Sequence, residues 1–195
     1  MFLNDEGKTF IIAEAGVNHN GNLDEAIKLI ENAKLAGCDA IKFQTFNADR
    51  LVCKDTSKVS YQISNDGSES SHYEMLKKLM LSNDEFKILK NVCDVQSIEF
   101  MSTPYDEIAV HFLSKIGVSK FKVASADIVD PILNRTISKT NKKVIISTGM
   151  ATSNEINNCL DYYKNYKRED ICLLHCVSNY PCSKESLNLK TIKNL

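Results

Sequence analysis

The side chains with the clearest chemical potential in this sequence lie in short apolar runs or directly after them. Lys42 and Lys122 each lie inside such a run, Glu14 ends one, and Asp127 stands just past another. A lysine in an apolar strand loses hydration, so it needs an anion nearby or its charged form becomes costly. Carboxylates beside such cations can handle protons or accept hydroxyl groups. The four residues therefore point to a pocket for a small anionic ligand.

Hydroxyl, amide and imidazole groups follow the same runs. They are Asn18, Gln44, Thr45, Ser102, Thr103, Ser125, Ser147, Thr148, His175, Ser178 and Tyr180. Lysine supplies a point charge and hydroxyls supply directional donors, so a ligand with a phosphate and a carboxylate would suit them. For any single Ser or Thr, a position at the hydrated end of a strand is as good an explanation as a role in ligand binding. His19 could bond the local backbone or serve as a ligand, and both alternatives stay open.

Six apolar runs of strand length position these groups, and each is rich in aromatic, β-branched or other apolar residues. The runs are FIIAE (10–14), AIKFQT (40–45), EFMST (99–103), FKVAS (121–125), VIIST (144–148) and ICLLHC (171–176). Amphipathic segments lie between them. Apolar residues at helical spacing predict a helix over residues 24–36 that stops at Gly37.

Further helices are marked by capping signals. Residues 82–85 and 152–155 are capping boxes, and Asp130 followed by Pro131 is an N-cap with proline at the first helical position. Apolar residues repeat at helical spacing over 109–116 and end at Gly117. The polar stretch 47–71 is predicted to begin as a long loop, and we expect His72 in a loop and His111 in a helix.

Strict alternation of strands and helices predicts parallel strands with crossover helices. An open doubly wound sheet and an eight-stranded barrel both fit, but no G-x-G-x-x-G or P-loop signature follows any strand. Lys42 and Gln44 share one face of their strand, and a barrel tolerates such polarity on its inner face near the mouth. The expected fold is α/β, of the (β/α)8 TIM-barrel type, with about six βα units whose ends converge on one mouth.

Composition narrows the class of protein. The chain has 195 residues, 43% of them hydrophobic and 25% charged, with a net charge of -1. This describes a globular domain and argues against nucleic acid or an anionic membrane as a partner. No apolar run approaches the ~20 residues that cross a bilayer, and the N-terminus does not fit a signal peptide. We expect a cytoplasmic protein.

The cysteines and histidines indicate neither a disulfide framework nor a metal site. The count of seven cysteines is odd and contains no C-x-x-C pair, so reduced and mostly buried thiols are expected. His175 has no second histidine at metal spacing.

Seven motifs together resemble the sialic acid synthases, the wider group that makes N-acetylneuraminate, legionaminate and pseudaminate. They are EAGVNHNG (14–21), KFQT (42–45), YEML (73–76), MSTPY (101–105), FKVASAD (121–127), ISTGM (146–150) and HCVSNYP (175–181). The resemblance implies condensation of phosphoenolpyruvate with an N-acetylated amino sugar aldehyde such as N-acetylmannosamine, giving sialic acid and phosphate. It also implies a divalent ion, manganese or magnesium, and a homodimer for the full-length family form.

The resemblance also implies roles for individual residues. The residues that would hold phosphoenolpyruvate are Lys42, Asn65, Thr103, Lys122, Ser125 and Ser147. Glu14 would be the acid-base residue at the reacting centre, with Lys42 and Lys122 as its catalytic partners. Gln44, Asp127 and Tyr180 would line the sugar side. Asp127 stands where the family often has Glu, and Ser178 where some members have Asn, so both leave the exact sugar open.

Length is the largest departure from the family. Its members continue with two more strands, which carry two metal-binding histidines, and a small antifreeze-like domain. Residues 1–195 are therefore expected to be the N-terminal three-quarters of the barrel domain, with the metal histidines beyond Leu195. Alone, this piece is expected to be inactive. Two alternatives are a Schiff-base aldolase using Lys42 or Lys122 and a non-catalytic remnant that binds small anions or a partner.

Overall fold

The computed structural model describes residues 7–56, 71–167, 170–179 and 181–195. Within these ranges strands and helices alternate, as the sequence predicts. The strands are β1 (Ile12–Gly16), β2 (Ala40–Thr45), β3 (Glu99–Pro104), β4 (Lys120–Val123), β5 (Lys143–Ser147) and β6 (Ile171–Leu174). They form two sheets with the orders β1-β2-β3 and β4-β5-β6. The pairs β1–β2, β4–β5 and β5–β6 are parallel.

The described helices connect the strands. They are α1 (Leu23–Leu35), α2 (Ala48–Leu51), α3 (His72–Leu79), α4 (Asn83–Val95), α5 (Glu107–Lys115), α6 (Pro131–Ser138) and α7 (Ser153–Asp161). Short 3-10 helices cover Ser125–Val129, Lys184–Ser186 and Leu189–Asn194. None of the helices in the described ranges has both the length and the apolar composition needed to cross a bilayer.

The chain divides into two compact units. The first unit is Ile11–Phe100, and the second comprises residues 7–10 and 101–195. In the first unit, α1 buries Ala26, Ile30 and Ala33 on one face, as the helical spacing predicts. The rings of Phe43 and Phe100 stack with centroids 5.6 Å apart.

The second unit has its own core. The apolar side chains of β4 and β5 are buried, including Phe121 and Ile146. Leu113 of α5 and Ile137 of α6 are also fully buried. Asp130 caps α6 as predicted, since its carboxylate accepts the backbone N–H groups of the second and third helical residues.

The structure corrects two predictions about the stretch 47–71 and the residue after it. Residues Ala48–Leu51 form a short helix, because the side chain of Asn47 accepts the N–H of Asp49 and caps it. His72 opens α3 instead of lying in a loop, because Ser71 and Glu74 form a reciprocal capping box. His111 lies in α5, as expected.

The cysteines are free, as predicted, but they are not mostly buried. Only Cys93 and Cys159 are buried, Cys53 is exposed, and the other four are half-buried. Burial raises the pKa of both buried thiols to about 12, so they act as small apolar groups. The expectation was wrong because apolar pattern alone does not tell which thiols lie under a helix.

Candidate functional site

In the second unit, the predicted lysine Lys122 is buried and lies close to hydroxyl groups. It is 8% exposed. Its Nζ donates hydrogen bonds of 2.5 Å to the Oγ of Ser147 and to the carbonyl oxygen of Val123. Parallel register places Lys122 opposite Ile145, so Ser147 at the end of β5 is within reach. The ammonium group is therefore held at the carboxyl end of the β4–β5 pair.

Gly149 allows further hydroxyl groups to approach this end of the second sheet. Its N–H donates to the Oγ of Ser125 at 3.1 Å. A Cβ at this position would lie 2.6 Å from the Oγ of Ser178 and 2.9 Å from that of Ser125. Only glycine fits without displacing a hydroxyl group. Four of the sequence-predicted residues thus lie around the end of β5 and Gly149. We call these residues, Lys122, Ser125, Ser147 and Ser178, the hydroxyl cluster.

Cys176 also contacts the hydroxyl cluster. Its Sγ donates to the Oγ of Ser147 at 3.4 Å. Reasoning from sequence assigned no role to Cys176 or to Gly149. The glycine within ISTGM, directly after a predicted strand, was a signal that could have been used, because such a glycine often marks close approach of other atoms.

Asp127 lies on the 3-10 turn Ser125–Val129, which follows β4. Its Oδ2 is buried and has no hydrogen-bond partner among the described residues. Burial raises the pKa of this carboxyl to about 6, Asp130 adds to the rise, and Lys122 opposes it. A carboxyl with such a pKa can be protonated or ionised near neutral pH, as a proton-transfer group requires.

In the first unit, Glu14 and Lys42 form an ion pair between adjacent strands. The register places the two residues directly opposite each other on β1 and β2. The Lys42 side chain is 11% exposed and that of Glu14 is 55% exposed. The carboxylate thus meets solvent while the ammonium lies inside.

Gln44 lies near this pair. A Cβ on Gly16 would lie 3.5 Å from the Oε1 of Glu14 and 3.7 Å from the Nε2 of Gln44. Gly16 has a φ of 53° at the irregularity that ends the β1–β2 pairing. Glu14, Lys42 and Gln44 are therefore brought together within the first unit, and the meeting of all strand ends at one mouth stays a prediction.

The remaining predicted residues are placed as follows. Thr103 lies near the end of β3 and is 2% exposed. Asn65 and Tyr180 fall outside the described residues. His175 lies just after β6, where its Nε2 makes a 2.7 Å hydrogen bond to the carbonyl oxygen of Leu187.

His19 bonds the local backbone, which confirms one of its two alternatives, and the ligand role stays a prediction. Its Nδ1 accepts the N–H of Gly21 at 3.1 Å, and the residue is 1% exposed. A Cβ on Gly21 would overlap the carbonyl oxygen of Lys78, so this turn packs tightly against the end of α3. The turn after β1 is thereby fixed, and with it the direction in which the chain leaves Glu14.

Several known proteins that resemble this chain are synthases of nonulosonic acids. A sequence profile of the NeuB family matches residues 29–195. An N,N′-diacetyllegionaminic acid synthase from Legionella pneumophila is 46% identical over 191 residues, which cover 95% of this chain and 53% of that protein. A pseudaminic acid synthase from Campylobacter jejuni is 34% identical, with 98% of this chain and 56% of that protein covered.

A solved structure agrees with these sequence matches. The crystal structure of an N-acetylneuraminic acid synthetase from Leptospira borgpetersenii, in complex with citrate, superposes with a TM-score of 0.80 at 34% identity. The superposition covers 95% of this chain and 60% of that one. The chain spans about half the length of the two relatives above.

These matches confirm the predicted fold class, an α/β fold of the TIM-barrel type represented here by about six βα units. They also confirm the resemblance to the sialic acid synthases that the seven sequence motifs indicated. The chain belongs to the NeuB family.

Proposed function

We propose that this chain is part of a nonulosonic acid synthase that condenses phosphoenolpyruvate with an N-acetylated amino sugar aldehyde. N-acetylmannosamine is the first candidate sugar, and the products would be sialic acid and phosphate. The observation that carries the proposal is the buried Lys122 ammonium with its hydrogen bond to Ser147. The two relatives above are named as synthases of legionaminic and pseudaminic acids, which are nonulosonic acids, and this supports the proposal.

The hydroxyl cluster suits an anionic substrate on electrostatic grounds. Water screens the charge of Lys122 less than it screens a surface lysine, because the residue is 8% exposed. Ser125, Ser147 and Ser178 add hydroxyl groups that can donate to phosphate or carboxylate oxygens. We assign the binding of phosphoenolpyruvate to Lys42, Asn65, Thr103, Lys122, Ser125 and Ser147, as the resemblance implies.

The proposed reaction forms one carbon–carbon bond and, at carbon 2, forms one carbon–oxygen bond to water and breaks the one to phosphate. Carbon 3 of phosphoenolpyruvate attacks the aldehyde carbon, and the aldehyde oxygen takes up a proton. Water adds to carbon 2 and loses one proton, which balances the proton taken up by the aldehyde oxygen. Phosphate then leaves with the oxygen that linked it to carbon 2, and the new hydroxyl on carbon 2 passes its proton to the departing phosphate. The product carries a ketone at carbon 2.

Two carboxyl groups are available for these proton transfers. Glu14 is partly exposed and paired with Lys42, which suits the acid-base role at the reacting centre. Asp127 has a pKa raised to about 6 by burial, so it can hold a proton at the start of the reaction and release it later. Gln44, Tyr180 and Asp127 are assigned to the sugar side.

The divalent ion that the family implies has no ligand set in the described part of the chain. That part contains no group of three or more His, Cys, Asp and Glu side chains able to hold a metal ion. The ion would polarise the aldehyde when bound. We assign it no ligands and no step here.

The proposal can be tested on a chimera that has about the same length as the relatives. In it, Leu195 is followed by the second half of the Legionella synthase. Calorimetric titration should show tighter binding of phosphoenolpyruvate than of inorganic phosphate or pyruvate, because only phosphoenolpyruvate carries both a phosphate and a carboxylate. Equal affinity for the three ligands would contradict the proposal. A borohydride-trapped adduct on Lys42 or Lys122 would instead establish a Schiff-base aldolase.

A further inference from the structure

Asn134 is a fully buried amide on α6 that binds the turn carrying Ser125 and Asp127. It is 0% exposed. Its Nδ2 donates to the carbonyl oxygens of Asp127 at 2.9 Å, Ile128 at 3.2 Å and Asp130 at 2.7 Å. A short 3-10 turn leaves carbonyl groups without partners of its own. One side chain therefore reaches three carbonyl groups around the end of this turn. Two of them also accept a backbone N–H, Asp127 from Asp130 and Asp130 from Asn134.

The other end of the same amide is anchored on α7 and on the residues that directly follow it. The Oδ1 of Asn134 accepts the hydroxyl of Tyr163 at 3.0 Å and the thiol of Cys159 at 3.4 Å. Tyr163 and Cys159 are each 1% exposed. The amide is thus held on both sides in a buried position, where it cannot rotate without breaking several hydrogen bonds.

Backbone hydrogen bonds also hold the two ends of the turn. The N–H of Asp127 bonds the carbonyl of Ala124, and the N–H of Asp130 bonds the carbonyl of Asp127, both at 3.0 Å. Ser125 receives the N–H of Gly149, and Asp127 lies close enough to Lys122 to feel its charge. Any change in the turn would therefore move two residues of the candidate site.

We propose that Asn134 is a positioning residue, which fixes the Ser125–Val129 turn so that Ser125 and Asp127 are held for substrate. The catalytic meaning of this role rests on the proposed function, whereas the positioning itself does not. A leucine would fill a similar volume but would leave the carbonyl oxygen of Ile128 and the hydroxyl of Tyr163 without this partner, so Asn134→Leu should also lose some stability.

The test compares two variants of the 195-residue chain. Asn134→Leu removes the three donated bonds and keeps the volume, whereas Tyr163→Phe removes one hydrogen bond on the opposite side of the same amide. Amide hydrogen exchange of Asp127 and Asp130 is measured relative to the amides of β4 and β5. We expect exchange in the turn to accelerate about tenfold or more in Asn134→Leu and to change less than about threefold in Tyr163→Phe.

A second readout follows the Asp127 carboxyl directly. The chemical shift of its carboxyl carbon is followed by NMR as pH is varied. The pH midpoint of this titration should fall in Asn134→Leu, because a released turn exposes the carboxyl to water. It should stay unchanged in Tyr163→Phe. If both variants accelerate exchange equally across turn and strands and leave the midpoint in place, Asn134 is only a stabilising residue and the proposal is wrong.

Two points keep the test decisive. If Asn134→Leu does not fold, Asn134→Thr, which keeps one donor, is measured against the same criteria. Neither readout uses a substrate, so failure of phosphoenolpyruvate to bind the chimera would overturn the proposed function and leave the positioning role to be decided by exchange and titration.

Discussion

The Nζ of Lys122 on β4 donates a 2.5 Å hydrogen bond to the Oγ of Ser147 at the end of β5. The two residues are 25 positions apart in sequence and are joined by the parallel pairing of their strands. A charged donor and a hydroxyl that can turn toward an incoming oxygen form the simplest anion site that this chain offers. The bond also fixes which way the ammonium group points.

Replacing Lys122 tests the charge in this pair. Lys122→Met keeps most of the length but removes the charge, so phosphoenolpyruvate should bind the chimera about 10- to 100-fold more weakly. Thermal stability should not fall, because an apolar side chain in a buried position avoids the cost of desolvating a charge. Isothermal titration calorimetry and thermal unfolding measure the two effects.

Lys120→Met is the matched control for Lys122→Met. Lys120 lies two residues earlier on β4, with its Nζ 4.6 Å from the ring centroid of Phe10. Its replacement should leave the affinity for phosphoenolpyruvate within about twofold. Equal losses for the two variants would mean that net charge and not the position of Lys122 governs binding.

Replacing Gly149 tests the close approach of the hydroxyl groups. In Gly149→Ala the new methyl would lie 2.6 Å from the Oγ of Ser178, so the hydroxyl cluster must open. We expect weaker binding of phosphoenolpyruvate by the chimera, measured by calorimetry, and partial recovery when Ser178→Gly is added.

Gly117→Ala is the control for backbone strain. Gly117 has a φ of +86°, and an added Cβ would meet nothing within 4 Å. Alanine there should lower the free energy of unfolding by ~1 kcal/mol and leave ligand affinity unchanged. Loss of affinity in Gly117→Ala similar to that in Gly149→Ala would show that destabilisation explains both.

The pKa of Asp127 predicts a loss of stability as pH rises. The carboxyl has a folded-state pKa of about 6 against an ordinary value of 3.8, so between these values the folded chain binds more protons than the unfolded chain. Stability that the protonated carboxyl provides is present below the lower value and is lost as pH rises to about 6. In Asp127→Asn this contribution is absent.

The measurement is urea unfolding of both chains from pH 4 to pH 7. The stability of Asp127→Asn relative to that of the original chain should increase with pH over this range. A difference that does not depend on pH would show that Asp127 has an ordinary pKa. Asp130 and Lys122, the charges that act on Asp127, remain in both chains.

The lowered pKa of His19 predicts that stability depends on pH in the opposite direction. Burial lowers the pKa of this imidazole from its ordinary value of 6.5, and Glu85 partly opposes the shift. Near and below pH 6.5 the unfolded chain therefore binds more protons, so stability falls as pH falls. His19→Asn keeps an acceptor for the N–H of Gly21 but cannot titrate.

Urea unfolding from pH 7.5 to pH 5 measures this effect. The original chain should lose stability relative to His19→Asn as pH falls. Parallel curves for the two chains would mean that His19 remains accessible to protons in the folded state.

Local signals were sufficient to predict most of the elements. The capping box at 152–155 opens α7 through a reciprocal bond between Thr152 and Glu155, which needs no other part of the fold. The helix at His72 had the same signal in Ser71 and Glu74, yet the polar sequence around it suggested a loop. The prediction of a loop at His72 was wrong because it relied on the polar composition of the stretch and not on the spacing of the capping box.

Contacts between residues that are far apart in the sequence could not be predicted from it. Lys122 was predicted to bind an anion, but its hydrogen bond to Ser147 depends on the register of two strands. Asn134 was given no role from the sequence, whereas in the fold it is buried and bonded to a turn and to Cys159 of α7. Such roles arise from packing, which hydrophobic periodicity does not encode.

Phosphate release by the chimera tests the central claim most directly. With phosphoenolpyruvate and N-acetylmannosamine together, we expect release of one phosphate for each nonulosonic acid formed, detected by mass spectrometry, and none with phosphoenolpyruvate alone. The second half of the Legionella synthase by itself serves as the blank. Release that does not require the sugar, or no release above the blank, would contradict the account.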